Sequence, residues 1–170
     1  MVATSYLNSS GATKGIGRAI CSDLATRGCS ILGTYSSTES APLFQTFTET
    51  IASAYSSVQD QNPQTYTPKL VGIPASISDP GSSIPLILET LRRSFKGRVD
   101  IVILNAAVMG LAKMGEGTVT SNFVNMALEG NVKFPILLME DLLNHEMINK
   151  EGRVISISSE GVRAKRPPGG

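Results

Sequence analysis

The sequence predicts an α/β fold built on a parallel sheet that is doubly wound, with helices on both of its faces. Short segments rich in Val, Ile and Leu alternate along the chain with longer segments of helical periodicity. A glycine-rich turn at residues 10–18 lies between the first strand and the first helix of this series. Alternating strands and helices form crossovers of one hand, and these bring ligands to the carboxyl edge of the sheet.

Length and composition favour a single globular domain over residues 1–170. The chain is 41% hydrophobic and 17% charged, which argues against disorder. Its formal net charge of +1 provides no basic field, so we expect no nucleic-acid partner. No apolar run approaches the roughly 20 residues that span a bilayer, and no signal-peptide pattern opens the chain. We therefore expect no membrane association and a cytoplasmic location.

Cysteine and histidine usage predicts no metal site. Cys21 and Cys29 flank the first helix without the spacing of metal ligands, and they are interpreted as packing residues. The single histidine, His145, lies in a polar stretch at a helix end, where a solvated surface position is expected.

The first strand and the first helix flank the glycine-rich turn. Residues 2–9 are predicted as a strand from context, although a central parallel strand normally has a more continuous apolar run. Residues 16–27 have helical spacing, and Gly28, which tolerates positive φ, ends that helix. The predicted inward face of the helix consists of Ile16, Ala19, Ile20 and Leu24.

The middle of the chain repeats the alternation of strand and helix. Residues 30–35 predict the second strand, and a periodic helix with Pro42 in its first turn follows. Residues 69–73 predict the third strand. The turn at 79–82 then starts a helix that Gly97 ends.

The last third of the chain contains the clearest strand, residues 99–104, which ends at Asn105. A long helix is predicted from about Thr120 to Leu143, and a fifth strand covers residues 153–158.

The glycine-rich turn has the composition of an anion-binding loop. Gly11, Gly15 and Gly17 allow a sharp turn and a close approach of a bulky anion to the backbone. The helix N-terminus behind them offers free N–H groups and the positive end of a dipole. A dinucleotide pyrophosphate is the usual occupant of such a site. A loop without any ligand is equally compatible with this pattern taken alone.

The order of motifs resembles that of the short-chain dehydrogenase/reductase family. Its features are the Ser10-Gly11-x-x-x-Gly15-Ile16-Gly17 loop, Asp100 opening the fourth strand, Asn105-Ala106-Ala107 closing it, Asn131 in the long helix, and Ile155 to Ser159 at the end of the fifth strand. The resemblance covers essentially the whole chain. It implies a Rossmann-like sheet of about five strands in the order 3-2-1-4-5, incomplete on its C-terminal side, and hydride transfer between a nicotinamide cofactor and a carbonyl/alcohol substrate.

The resemblance also implies a set of cofactor-binding residues. They are Gly11, Thr13, Lys14, Gly15, Ile16, Gly17 and Arg18 in the loop, Tyr35, Ser36 and Ser37 after the second strand, Ser76 and Ile77 after the third, and Asn105, Ala106 and Ala107 after the fourth. Two of these segments depart from the family's pattern. Ser76 stands where the family has an Asp that contacts adenine, a departure that weakens cofactor binding. Leu104 and Ala107 replace the first Asn and the Gly of the family's Asn-Asn-Ala-Gly. Residues 105–107 are also compatible with small side chains that only pack a strand end.

Charge around the second strand favours NADP(H) over NAD(H). Relatives specific for NAD place an acidic residue there to hold the ribose 2′-hydroxyl, but no carboxylate follows Tyr35 until Glu39. Lys14 and Arg18 would offer cations to a 2′-phosphate.

Two residues receive catalytic roles from the resemblance. Ser159 aligns with the serine that orients and polarises the substrate carbonyl, and Asn131 with the asparagine that holds a water of the proton relay. Pro135 lacks an N–H and so leaves the Asn131 backbone carbonyl free. The alternatives are a plain helix kink at Asn131 and a turn-forming role for Ser159.

The family's acid–base pair, a tyrosine with a lysine four residues later, is not found in these 170 residues. The four tyrosines are followed at that spacing by Ser10, Glu39, Gln59 and Leu70. We expect the pair, the family's later strands, its main dimer helix and its substrate lid to lie beyond Gly170, which would leave the fifth strand as an uncovered edge. Family members are homo-oligomers, but that helix is absent here.

Two hypotheses therefore stand. The first is an NADP(H)-dependent reductase of a small carbonyl substrate that is inactive as this truncated chain. The alternative is a naturally truncated nucleotide-binding pseudoenzyme that acts as a binding or regulatory module.

Overall fold

The computed structural model describes residues 6–62, 65–110 and 112–159. Its sheet has five parallel strands in the order β3-β2-β1-β4-β5, which confirms the predicted topology. The strands are β1 (Tyr6–Ser10), β2 (Ser30–Tyr35), β3 (Leu70–Pro74), β4 (Val99–Leu104) and β5 (Ile148–Ser156). The predicted part of the first strand before Tyr6 lies outside the described residues.

Five α-helices connect the strands. They are α1 (Gly15–Thr26), α2 (Ala41–Gln59), α3 (Pro80–Phe95), α4 (Ser121–Leu128) and α5 (Phe134–Asn144). Helices α1 and α2 contact each other, and α3 contacts α5. The buried side chains accordingly form two clusters, one centred on α1, α2 and β2 and the other on α3, α5 and β4.

Helix α1 buries the predicted face only in part. Its fully buried residues are Gly17, Cys21 and Ala25; Ile20 and Leu24 of the predicted face are partly buried against the same core, whereas Ile16 is 61% exposed. A Cβ at Gly17 would overlap the carbonyl oxygen of Gly11, so the helix approaches the glycine-rich turn through a position without a side chain. This close approach through small residues sets the rotation of α1, and Ile16 is turned toward the outside.

The long helix predicted from Thr120 to Leu143 is interrupted. A π-helical turn, Glu129–Lys133, separates α4 from α5, and the Phe134 N–H donates to the Glu129 carbonyl five residues back. Pro135 has no N–H to continue the α-helical pattern at the next position. The wider turn lies at Gly130 and Asn131, and such turns are frequent at functional sites.

Strand β5 begins five residues earlier than predicted. Ile148 pairs with Val99, and the register shifts before Arg153 pairs with Ile101. The polar residues in between hide this part of the strand from an apolar pattern. Within the described sheet β5 is an edge strand, and its Val154 and Ile155 are 47% and 43% exposed. In the described part of the chain, the helices are too short or too polar to span a bilayer.

Candidate functional site

A cavity of about 380 Å³ opens at the carboxyl edge of the sheet. It is lined by residues that follow four neighbouring strands, which is where open α/β sheets bind ligands. The lining residues are Gly11, Thr13, Lys14, Thr34, Tyr35, Ser36, Ser40, Ala75, Ser76, Ile77, Ser78, Asn105, Ala106, Ala107 and Val108. Ten of the predicted cofactor residues are among them.

The glycine-rich turn forms one wall of this cavity. Gly11 and Gly15 have φ of 68° and 56°, a region that favours glycine. A Cβ at Gly17 would lie 2.6 Å from Asn105 Nδ2, and one at Gly11 would lie 3.0 Å from the same atom. The turn, the first residues of α1 and the end of β4 are therefore packed together without space for side chains at the two glycines.

The N-terminus of α1 is open at this wall. Lys14, its N-cap residue, has an extended backbone (φ −151°, ψ 167°) and makes no side-chain capping hydrogen bond. Uncapped N–H groups at a helix start and the positive end of the helix dipole are suited to an anion. Gly15, Ile16 and Gly17 lie at this start but do not line the cavity.

The two loop cations are placed differently. Lys14 is exposed and lines the cavity. Arg18 lies against α2, where its Nη1 donates to the Leu43 carbonyl at 2.9 Å and its guanidinium lies 4.9 Å from the centre of the Phe47 ring. Among the described lining residues Lys14 is the charged one.

The segment after β2 divides its hydroxyls between the cavity and the surface. Ser36 and Ser40 line the cavity. Ser37 does not; its Oγ donates to Glu39 Oε2 at 2.8 Å. Tyr35 is buried, which raises the pKa of its hydroxyl, so that this part of the lining is neutral at physiological pH.

Ser76 is held by the turn that starts α3. Its carbonyl accepts from Asp79 N at 3.1 Å and from Ser83 Oγ at 2.8 Å. Its Oγ accepts from Ser78 N at 3.3 Å. The Asp79 carboxylate in turn caps α3 by accepting from Ser82 N. These bonds fix the cavity wall that follows β3.

A second, smaller cavity of about 140 Å³ adjoins the first. The two share Ile77, Ala106 and Ala107. The second cavity reaches the π-helical turn at Gly130 and Asn131 and the end of β5 at Ser156. The small residues Ala106 and Ala107 at the end of β4 thus form the partition between the two cavities.

Asn131 fixes this partition through its side chain. Its Oδ1 accepts from Val108 N at 2.7 Å, and its Nδ2 donates to Val108 O at 2.8 Å. Ser159, the other predicted catalytic residue, follows β5; it is exposed and does not line either cavity.

Several lining residues were not predicted from the sequence motifs, among them Ser40, Ser78, Val108 and Ser156. Two of them could have been predicted from their positions, since Val108 directly follows Asn105-Ala106-Ala107 and Ser156 ends a strand. Ser40 lies in a short 3-10 turn (Thr38–Ser40) that the sequence pattern did not show. In the described part of the chain, no group of three His, Cys, Asp or Glu residues could hold a metal ion.

The sequence model of the family described as short chain dehydrogenase matches residues 10–168. The chain belongs to this family. It is 30% identical over 162 residues to L-xylulose reductase of Aspergillus niger, covering 88% of this chain and 50% of that protein. It is 31% identical over 152 residues to 3-oxoacyl-(acyl-carrier-protein) reductase of Escherichia coli, covering 88% and 52%. This short chain dehydrogenase thus spans about half the length of the curated relatives it matches.

Solved structures share its fold. A blue fluorescent protein from a metagenomic library, in complex with NADPH, superposes with a TM-score of 0.74 at 23% identity over 95% of this chain and 59% of that one. An angucycline C-6 ketoreductase with bound NADP does so with a TM-score of 0.74 at 23% identity, over 96% and 58%. These two solved structures therefore share the fold of nearly all of the present chain.

Proposed function

We propose that this chain is the cofactor-binding part of an NADP(H)-dependent reductase that acts on a small carbonyl substrate. One observation carries the proposal. Two cavities with shared lining residues follow the carboxyl edge of the sheet, one lined by the glycine-rich turn and the other by Asn131 and Ser156. An extended dinucleotide needs two such adjoining spaces, with a phosphate site at one end and a reaction space at the other.

The phosphate end fits a pyrophosphate. Gly11 and Gly15, with positive φ, leave backbone N–H groups uncovered by side chains, and the N-terminus of α1 lacks a side-chain cap. An anion placed there would gain hydrogen bonds and the favourable end of the helix dipole.

The preference for NADP(H) rests on Lys14, Ser36 and Ser40. These three polar side chains line the same cavity, where a 2′-phosphate would meet one cation and two hydroxyls. Glu39, the nearest carboxylate in sequence to β2, accepts a hydrogen bond from Ser37 and lies outside the lining. Arg18, held at the Leu43 carbonyl, is assigned a smaller role than Lys14.

At the reaction end, we assign orientation of the substrate carbonyl to Ser159. Bound NADPH supplies the hydride in this chemistry. The side chain of Asn131 is bonded to the Val108 backbone. We therefore assign the water contact of Asn131 to its backbone carbonyl, to which Pro135, four residues later, cannot donate a hydrogen bond. The two relatives named above are, as their names state, reductases of carbonyl compounds, which supports this reaction class.

The proposed reaction also needs a proton donor. None of the four tyrosines in these 170 residues has a lysine four positions later, so the tyrosine–lysine pair of the family is not provided by this stretch. We infer that the 170-residue chain binds NADPH without turning it over.

The test compares two proteins. One is the 170-residue chain, and the other is the native protein isolated from its source cells, with its intact mass measured beside the 18.0 kDa of this chain. Binding of NADPH by both, with oxidation of NADPH on a carbonyl panel only by a heavier native protein, supports the reductase. Binding without turnover by a native protein of 18.0 kDa would support the alternative, a binding or regulatory module. Absence of NADPH binding by both would overturn the proposal.

A further inference from the structure

A buried glycine lies where the π-helical turn meets the partition between the two cavities. Gly130 is the buried residue of the turn Glu129–Lys133 and lines the second cavity. A Cβ built on it would lie 2.5 Å from Val108 Cγ2 and 3.2 Å from Ile77 Cδ1. Real Cβ atoms do not approach carbon this closely, so any side chain at this position would have to displace Val108.

Val108 has no backbone freedom to move away. Both its N–H and its carbonyl are bonded to the Asn131 side chain, the residue next to Gly130, at 2.7 and 2.8 Å. A displaced Val108 must therefore either break these bonds or rotate its side chain. Either movement changes the part of the first cavity's wall that Val108 forms, next to Ala106 and Ala107, which line both cavities.

We propose that Gly130 is a positioning residue that seats the Val108 side chain and thereby sets the shape of the wall where the two cavities adjoin. Its effect falls mainly on the half of the cofactor beyond the pyrophosphate, because Gly130 lines the second cavity, whereas Lys14 and Ser36 line only the first. This inference rests on the proposed function, since it needs a ligand that reaches from one cavity to the other.

Two probes distinguish binding at the two ends of the proposed cofactor site. NADPH would extend through both cavities, whereas adenosine 2′,5′-bisphosphate has the 2′-phosphate and adenosine but no nicotinamide half. We expect Gly130→Ala to weaken binding of NADPH by about tenfold, the cost of a modest overpacking, and to leave binding of adenosine 2′,5′-bisphosphate unchanged. The measurement is titration calorimetry with each probe on the 170-residue chain.

Removing the obstructing methyl groups provides the decisive variant. In Gly130→Ala/Val108→Ala the new Cβ replaces the volume of the valine methyl groups, so we expect the affinity for NADPH to return to within about threefold of the original value. Val108→Leu in the original chain adds volume at the same contact and should weaken the binding of NADPH but not that of adenosine 2′,5′-bisphosphate. This variant provides the test if Gly130→Ala does not fold.

Gly152→Ala is the matched control. A Cβ there would lie 2.5 Å from Ile148 Cγ2, as close as the contact at Gly130, and 2.9 Å from the Asn149 carbonyl oxygen, a clash at least as severe but in a part of β5 that lines neither cavity. This substitution should alter the thermal midpoint of unfolding without changing the affinity for NADPH relative to that for adenosine 2′,5′-bisphosphate. Equal losses for both probes in Gly130→Ala, or no recovery in the double variant, would overturn the inference. An unaltered chain that binds neither probe would overturn the proposed function instead.

Discussion

The side chain of Asn131 pairs with the backbone of Val108 as a neighbouring strand would. Oδ1 accepts from the Val108 N–H at 2.7 Å, and Nδ2 donates to the Val108 carbonyl at 2.8 Å. The pair joins the π-helical turn to the segment after β4, and hence the wall of the proposed cofactor site to the helix behind it. An asparagine amide has one donor and one acceptor side by side, which is the pattern this contact needs.

Asn131→Ala removes both hydrogen bonds. We expect a loss of about 1–2 kcal/mol in the free energy of unfolding, because each exposed bond contributes about 0.5–1.5 kcal/mol, together with weaker NADPH binding. Urea unfolding and calorimetry measure the two effects. The control is Asn144→Ala, whose amide donates to the exposed Glu140 carboxylate at 3.1 Å, and for which we expect less than about 0.5 kcal/mol. Equal effects of the two substitutions would contradict this account.

Gly17→Ala should abolish the proposed phosphate site. The added Cβ would overlap the Gly11 carbonyl and lie 2.6 Å from Asn105 Nδ2, and the backbone atom cannot turn aside as a side chain can. We expect a loss of more than about 1 kcal/mol in stability and of measurable NADPH binding. Gly81→Ala, at the first turn of α3 with ordinary contact distances, should instead be neutral or stabilising by up to about 1 kcal/mol. Retained NADPH binding in Gly17→Ala would be incompatible with this site.

Lys14→Glu tests the preference for the phosphorylated cofactor. Reversing the charge in the cavity lining should weaken the affinity for NADPH by about tenfold or more and change the affinity for NADH by much less, because only NADPH has the 2′-phosphate. Lys150→Glu, an exposed position of β5, makes the same change of net charge away from the cavity and should affect neither. Parallel losses for both cofactors in Lys14→Glu would show that the lysine does not contact the 2′-phosphate.

The stability of the chain should fall at alkaline pH in a way that depends partly on Tyr55. Burial raises the pKa of its hydroxyl above the ordinary tyrosine value of about 10, and the hydroxyl donates to Ala25 O at 2.8 Å. Above about pH 10 the unfolded chain loses this proton before the folded chain does, so the folded state is favoured less. The contribution is complete below pH 10 and is lost as the pH rises toward the folded-state pKa.

Thermal midpoints of the original chain and of Tyr55→Phe between pH 8 and 11 check this prediction. The variant should be less stable at pH 8, by about 0.5–1.5 kcal/mol for the lost hydrogen bond, and the difference should narrow above pH 10. A difference that stays constant over this range would exclude a titration of Tyr55 from the alkaline loss.

Much of the fold follows from local sequence. The strands, the glycine-rich turn and the residues that close β4 were predictable because each depends on a backbone requirement or an apolar run within a few residues, whereas the order of the strands came from the resemblance to the family. The segment after β4 shows the limit of this reasoning. Asn105-Ala106-Ala107 is visible as a motif, but the role of Val108 depends on Asn131, which lies 23 residues further on.

Contacts between separate segments are not visible in local sequence. The rotation of α1 is set by the overlap that any side chain at Gly17 would make with Gly11, so Ile16, which periodicity placed inward, is exposed. The position of Arg18 depends on the Leu43 carbonyl, 25 residues away. The early start of β5 has no apolar signal, since its first half contains Asn149, Lys150 and Glu151.

Direct binding to the 170-residue chain is the simplest test of whether the two adjoining cavities form an NADP(H) site. Titration calorimetry with NADPH and NADH on the same preparation should give saturable binding of NADPH, about tenfold or more tighter than NADH. A concentration of NADPH at about 100 times its Kd should add about 2.7 kcal/mol, and so raise the thermal midpoint by about 5–10 °C. A folded chain that shows no heat and no shift with NADPH, or that binds NADH more tightly, would contradict the account.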